Sequence, residues 1–164
     1  MKIGITGTPG TGKSTVSGKL NGKIVDIRDF LEENSLGEVN QNGEIEVDID
    51  ELRENIPEEP EGTNLVLEGH MAHFLDLDYC IILRCRPDIL RERLERRDYS
   101  EEKIDENIES EKMDLILSQA YQSQDKIFEV DTTDKCIEEV AEEVSNALEN
   151  KEERYGVVDW SEFL

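Results

Sequence analysis

The sequence predicts one α/β domain, a parallel sheet of five strands covered by helices on both faces, and three observations predict it. Five short apolar stretches alternate with segments carrying helical signals, the pattern that produces a parallel sheet. Two of them, Asn64–Glu68 and Tyr79–Arg84, are apolar almost throughout, as strands buried on both faces must be. The first stretch, Lys2-Ile3-Gly4-Ile5-Thr6, runs into Gly7-Thr8-Pro9-Gly10-Thr11-Gly12-Lys13-Ser14-Thr15, and a helix follows it, the strand–loop–helix setting of a phosphate-binding P-loop. At 164 residues the chain supports one sizeable core, so residues 1–150 are expected to form a single domain and 151–164 a tail.

Taken in order, Lys13 to Leu20 reads as the helix after the glycine loop, ended by Asn21-Gly22. Lys23–Ile27 is a second strand on its β-branched content. Asp29–Glu33 reads as helix. The stretch through Gly37 and Asn42-Gly43 is turn-rich, Ile45–Ile49 alternates, Asp50–Ile56 turns helical, and Pro57–Gly62 is a loop. Gly69 lets the chain turn sharply after the third strand. Pro87 suits the first turn of a helix over Asp88–Arg97. Ser100 caps the next helix, predicted to run to about Ser123, with Glu101 and Glu102 at its positive end. Lys126–Val130 is the fifth strand. Thr133 is expected to cap a last helix, whose Ile137, Val140, Ala141, Val144 and Leu148 recur with helical period.

Chemistry concentrates at the strand ends, where open parallel sheets bind their ligands. The glycines of the loop let backbone N–H groups approach an anion, and the following helix adds its dipole. Gly10, Thr11, Gly12, Lys13, Ser14 and Thr15 are therefore expected to bind the phosphates of ATP, with Lys13 neutralising the β/γ end and the Ser14 hydroxyl offered to Mg2+. Glu68, the one acid in Leu65–Gly69, is the candidate second carboxylate on the metal side. His70, two residues on, is placed to orient a water or the γ-phosphate. His73 lacks a comparable placement. Six arginines, Arg84, Arg86, Arg91, Arg93, Arg96 and Arg97, face only three carboxylates between Arg84 and Arg97. Arg93 and Arg97, one helical turn apart, are the candidates to spread transition-state charge; a salt-bridged surface helix is the other reading of the cluster.

The charge balance excludes some classes. Eighteen basic against 41 acidic residues give a net charge of −23, which disfavours a free nucleic-acid-binding surface. Thirteen carboxylates and one basic residue, Arg53, fall between Asp29 and Glu61. That segment reads either as a hydrated surface suited to a salty cytosol or as an acidic face for a basic partner. No apolar run has the length of a membrane span and the start lacks a signal-peptide core, so a cytoplasmic protein is expected. Cys80, Cys85 and Cys136 lie in apolar stretches without paired spacing and are expected to be buried reduced thiols. Trp160, the sole tryptophan, stands in the tail Arg154–Leu164, either packed back on the domain or serving as a hook for a partner.

These residues resemble the nucleoside-monophosphate kinases, and within them the adenylate kinase isoenzyme 6 family, whose members are linked to late small-ribosomal-subunit maturation. The resemblance rests on Gly7 to Thr15, on Glu68-Gly69-His70, on Glu92 to Tyr99 followed by Glu101 to Ile108, and on Val158-Asp159-Trp160, and it spans nearly the whole chain. It implies a sheet of order 2-3-1-4-5, a nucleoside-monophosphate-binding segment over about 26–51 and a short lid over about 96–106, with Arg97 against bound ATP. Glu68 and His70 match the family's acid-x-His pair, which carries aspartate in eukaryotic members. Ordinary adenylate kinases offer an arginine to the AMP phosphate after the third strand, whereas Gly69 to His73 contains none. The resemblance implies adenylate kinase and ATPase activity with ATP and Mg2+, AMP as the favoured acceptor, a basic small-subunit ribosomal protein as partner, and a monomer.

Two other functions fit the same loop. A small-metabolite kinase, for a sugar acid, shikimate or a coenzyme precursor, would phosphorylate a non-nucleotide acceptor. An ATP-gated binding module would switch on nucleotide binding without turnover.

Overall fold

The structure is a computed structural model that describes all 164 residues. Its main sheet contains β1 (Lys2–Gly7), β2 (Lys23–Asp26), β5 (Leu65–Glu68), β6 (Tyr79–Arg84) and β7 (Ile127–Asp131). The spatial order is β2-β5-β1-β6-β7, which is 2-3-1-4-5 when the five sheet strands are counted along the chain. Every neighbouring pair in it is parallel. The carboxyl ends of β2, β5, β1 and β6 therefore lie along one edge and deliver Asp26, Glu68, Gly7 and Arg84 to it.

Alternation along each strand divides the core between the two faces. Ile3, Ile5, Val66, Ile81 and Leu83 pack with α1 (Lys13–Ser17) and α7 (Ile137–Asn150) through Val16, Val140 and Val144. On the opposite face Val25, Leu65 and Leu67 meet Leu31 of α2 (Ile27–Glu33) and Leu52 of α3 (Ile49–Asn55). Cys80, Ile82 and Ile127 pack against Ala120 of α6 (Leu115–Ser123). Leu90 and Leu94 of α4 (Pro87–Glu95) join Ile104 and Ile108 of α5 (Glu101–Lys112) in a separate cluster beside the phosphate loop. Burying strands from both sides leaves no room for polar alternation, which is why β5 and β6 read as continuous apolar runs.

Several expectations are met and several corrected. Pro87 opens α4, and the Ser100 hydroxyl accepts from the Lys103 N–H at 3.3 Å as the cap of α5. The helix predicted to Ser123 is broken: Asp114 takes a left-handed conformation (φ 52°), dividing α5 from α6, and its carboxylate binds Arg84 at 2.5 Å. Ionic pairing of Asp114 is a tertiary influence that helical periodicity does not register. Thr133 does not cap α7. Its hydroxyl accepts from the Arg86 N–H and bonds Asp131, while Cys136 takes the cap position with Glu139 accepting from its N–H at 2.7 Å. Cys136 is consequently exposed, whereas Cys80 and Cys85 are buried as expected. Ile27 belongs to α2, because Asp26 caps that helix by accepting from the Asp29 N–H. The turn-rich stretch contains a small antiparallel hairpin, β3 (Glu38–Val39) and β4 (Ile45–Glu46). No helix is long and apolar enough to cross a membrane.

The tail packs back. Arg154 runs beside β7, donating from its N–H to Ile127 O and accepting from the Glu129 N–H, with its guanidinium over the Phe128 ring. Trp160 is 8% exposed.

Candidate functional site

The glycine loop leaves β1 at Gly7, where φ is 147° and a Cβ would meet the Leu83 carbonyl oxygen at 2.5 Å, so a side chain is excluded there. Lys13 folds back over the loop and donates from Nζ to the carbonyls of Gly7 (2.9 Å) and Thr8 (3.1 Å). Burial lowers its pKa to about 8, opposed by the nearby Glu68 carboxylate. Ser14 donates its hydroxyl to Glu68 Oε1 at 2.8 Å, joining the start of α1 to the end of β5. Glu68 is 4% exposed. Burial raises its pKa; the Ser14 bond and Lys13 pull it down, and Asp26 adds to the rise.

Asp26 is a residue of this edge that the sequence reading missed. It ends β2 directly in register with Glu68 and lies close enough for the two carboxyls to interact. An acid at a strand end carries no special signal until the strands are ordered, and only the neighbouring of β2 and β5 pairs it with Glu68. The hydroxyl of Ser14 with these two carboxylates is a hard oxygen donor set, suited to a Mg2+ ion that keeps waters and phosphate oxygens as its remaining ligands. No group of three or more His, Cys, Asp or Glu side chains is arranged to hold a metal ion.

The other candidates separate. His70 is exposed at the same cleft, where desolvation by its surroundings and the positive charge of Lys13 lower its pKa and Glu44 opposes them. His73 is buried and turned away, bonding Thr6 at 3.0 Å and Gln119 at 2.9 Å, a structural role. Arg93 reaches Gly10 O at 3.4 Å and Thr132 O at 3.2 Å and so braces the outer side of the loop. Arg97 stands past the end of α4, exposed, with its charge acting on Lys13. Arg84, Arg86 and Arg91 are committed elsewhere: Arg84 to Glu111, Asp114 and Glu129, Arg86 to Asp88, Arg91 to Glu101 and Asp105. The arginine cluster is thus divided: Arg84, Arg86 and Arg91 pair with carboxylates, Arg93 braces the loop, and Arg96 and Arg97 are exposed. Across the cleft, Lys103 of α5 binds Glu44 of the β3–β4 connection at 2.8 Å. Asn107, one turn on from Lys103, holds a buried amide nitrogen without a partner.

A parallel sheet of this order, with a lysine-bearing glycine loop facing strand-end carboxylates, defines a P-loop protein of the nucleotide- and metabolite-kinase fold. The comparisons agree. A sequence profile described as "AAA domain" matches residues 3–114. A protein of Thermococcus kodakarensis named "Putative adenylate kinase" is 45% identical over 99% of this chain and 94% of its own length. Proteins of the same name from Pyrococcus furiosus (45% identity, 98% of this chain and 92% of the relative) and Methanocaldococcus jannaschii (40%, 99% and 94%) are similar throughout. The chain belongs to this archaeal P-loop family. Among solved structures, shikimate kinase from Acinetobacter baumannii in complex with shikimate shares the fold with a TM-score of 0.63 at 12% identity, covering 92% of this chain and 94% of that one. Shikimate kinase from Bacteroides thetaiotaomicron has a TM-score of 0.55 at 20% identity, with coverage of 91% and 98%.

Proposed function

We propose that the protein is a nucleoside-monophosphate kinase, transferring the γ-phosphoryl group of ATP to AMP in preference to other acceptors, with ATP hydrolysis as a second activity. The observation that carries this reading is the meeting of Lys13, Ser14 and Glu68 in one cleft beside Asp26 and His70. Lys13 with the loop N–H groups would hold the polyphosphate, and Ser14 with Glu68 would hold Mg2+, which would supply charge neutralisation to the phosphates. Arg93 keeps Gly10 in place, and Arg97 adds charge when the segment about 96–106 closes. AMP brings its own anionic nucleophile, so transfer requires positioning rather than a base. Hydrolysis requires an oriented water, for which His70 is placed. The names of the archaeal relatives support the acceptor class.

The reading extends to the resemblance with the adenylate kinase isoenzyme 6 family. All thirteen carboxylates between Asp29 and Glu61 are exposed, a surface suited to a basic ribosomal protein during small-subunit maturation.

A panel of nucleoside monophosphates and shikimate, each with ATP and Mg2+, run beside ATP hydrolysis without acceptor, tests the proposal. ADP formation from AMP well above the acceptor-free rate is expected. Preferential phosphorylation of shikimate, or hydrolysis unmoved by every nucleotide, would reject it.

A further inference from the structure

The C-terminal tail reaches the phosphate loop through one buried carboxylate. Glu111, at the end of α5 and 2% exposed, has both oxygens taken. Its Oε1 accepts from Arg84 Nε at 2.8 Å, from the Cys85 N–H at 3.2 Å and from Trp160 Nε1 at 3.1 Å. Its Oε2 accepts from the Thr8 hydroxyl at 2.7 Å. Thr8 is the second residue of the loop, and its carbonyl in turn accepts from Lys13 Nζ at 3.1 Å and from the Thr11 hydroxyl at 2.8 Å. A continuous chain of hydrogen bonds thus runs from Trp160 through Glu111 and Thr8 to Lys13.

We propose that Glu111 is a positioning residue for the phosphate loop and that docking of the tail through Trp160 fixes its alignment, so that tail docking and nucleotide affinity are coupled. The inference rests on the reading of Gly7–Thr15 as the ATP cradle. A hydrogen bond to an ionised, desolvated acceptor is stronger than one between neutral groups, so the Thr8 bond has the strength to hold a glycine-flanked segment in one conformation. The Glu111 charge is itself held by Arg84, which Glu129 also binds at 2.6 Å. Glu129 meets the tail a second time, its Oε2 accepting from the Val157 N–H at 2.8 Å. The same buried ionic group therefore grips the loop on one side and the tail on the other. Coupling of this kind is reciprocal: a nucleotide that orders the loop favours the docked tail, and a partner that draws the tail away weakens nucleotide binding.

The experiment measures ATP binding in the presence of Mg2+ by titration calorimetry on the full chain, for wild type, Trp160→Phe, Thr8→Val, the double variant and Thr8→Ser. Trp160→Phe keeps most of the packing volume and removes only the N–H donor. Each of Trp160→Phe and Thr8→Val is expected to weaken ATP by about threefold to tenfold, the double variant no more than the weaker-binding single one, and Thr8→Ser to restore wild-type affinity. Emission from Trp160, the only tryptophan, is expected to change when ATP binds to wild type and not to Thr8→Val. A merely structural tail would lower the unfolding temperature of Trp160→Phe while leaving its affinity within twofold of wild type, and that result overturns the inference. Effects that multiply in the double variant overturn it too. Should Trp160→Phe not fold, an identical emission change in wild type and Thr8→Val, both of which retain the tryptophan, has the same force. Wild-type protein that binds ATP without these couplings refutes the inference alone, and failure to bind ATP at all refutes the functional reading with it.

Discussion

His70 enters none of the side-chain hydrogen bonds that fix His73 to Thr6 and Gln119. Desolvation and the charges of Lys13, Lys103 and Arg28, opposed by Glu44, lower its pKa and favour the neutral ring, which can accept from a water. His70→Ala is accordingly expected to lower ATP hydrolysis by at least about tenfold and transfer to AMP by much less. Equal losses in parallel assays would remove the histidine from the hydrolytic role. Lys13 makes a second prediction at this scale. Its pKa of about 8 in the free protein means that roughly half of it is protonated at pH 8. Bound polyphosphate favours the ammonium form, so binding at pH 8 takes up a proton, and affinity falls as pH rises further. Calorimetry in two buffers of different ionisation enthalpy reads the uptake directly. Buffer-independent enthalpy, or proton release, would contradict the assignment of Lys13 to the phosphates.

At the scale of elements, the contact of α5 with the β3–β4 connection spans the cleft. Lys103 binds Glu44 and also lies over the Tyr99 ring at 5.1 Å, so the segment expected to form the lid is tied to the hairpin opposite. Partly exposed pairs of this kind contribute about 1 kcal/mol or less to stability, yet such a pair can bias a lid between open and closed positions. Lys103→Glu should raise KM for ATP by about threefold to tenfold with kcat changed less than about twofold and the unfolding midpoint little altered. An unchanged KM would show that the pair has no part in closure. The elements also show what could be read from the chain. The phosphate loop is contiguous, and its strand, glycines, lysine and helix are local signals, so they were legible. The sheet order came from the resemblance and matches the observed one. Asp26 was not legible because its importance comes from the pairing of β2 with β5, and Glu111 was hidden on a helix whose other acids are ordinary surface residues. The break at Asp114 and the cap at Cys136 were missed for the same reason: Arg84 and Arg86, remote in sequence, decide what Asp114 and Thr133 bind.

For the molecule as a whole, the dominant number is the net charge of −23, spread over 41 acids and 18 bases. Most of the carboxylates have no cation within ion-pairing distance, and all thirteen from Asp29 to Glu61 are exposed, so the folded state holds like charges closer together than the unfolded chain does. Salt shortens the Debye length from ~30 Å at 0.01 M to ~3 Å at 1 M and removes this repulsion. It also weakens the surface pairs of Arg86, Arg91 and Lys103, but those are few against the carboxylate excess. Acid is not an equivalent remedy. Asp88, held low by the bond from Arg86, and Glu44, held low by Lys103, have folded pKa values below their ordinary ones. Their contribution is present above the ordinary carboxylate range and is lost as pH falls through the folded values. Calorimetric unfolding at neutral pH should therefore show the midpoint rising by several degrees, ~5 °C or more, between 0.05 and 1 M KCl. A midpoint flat or falling with KCl would mean that the ion pairs, rather than the excess carboxylates, govern the stability of the fold.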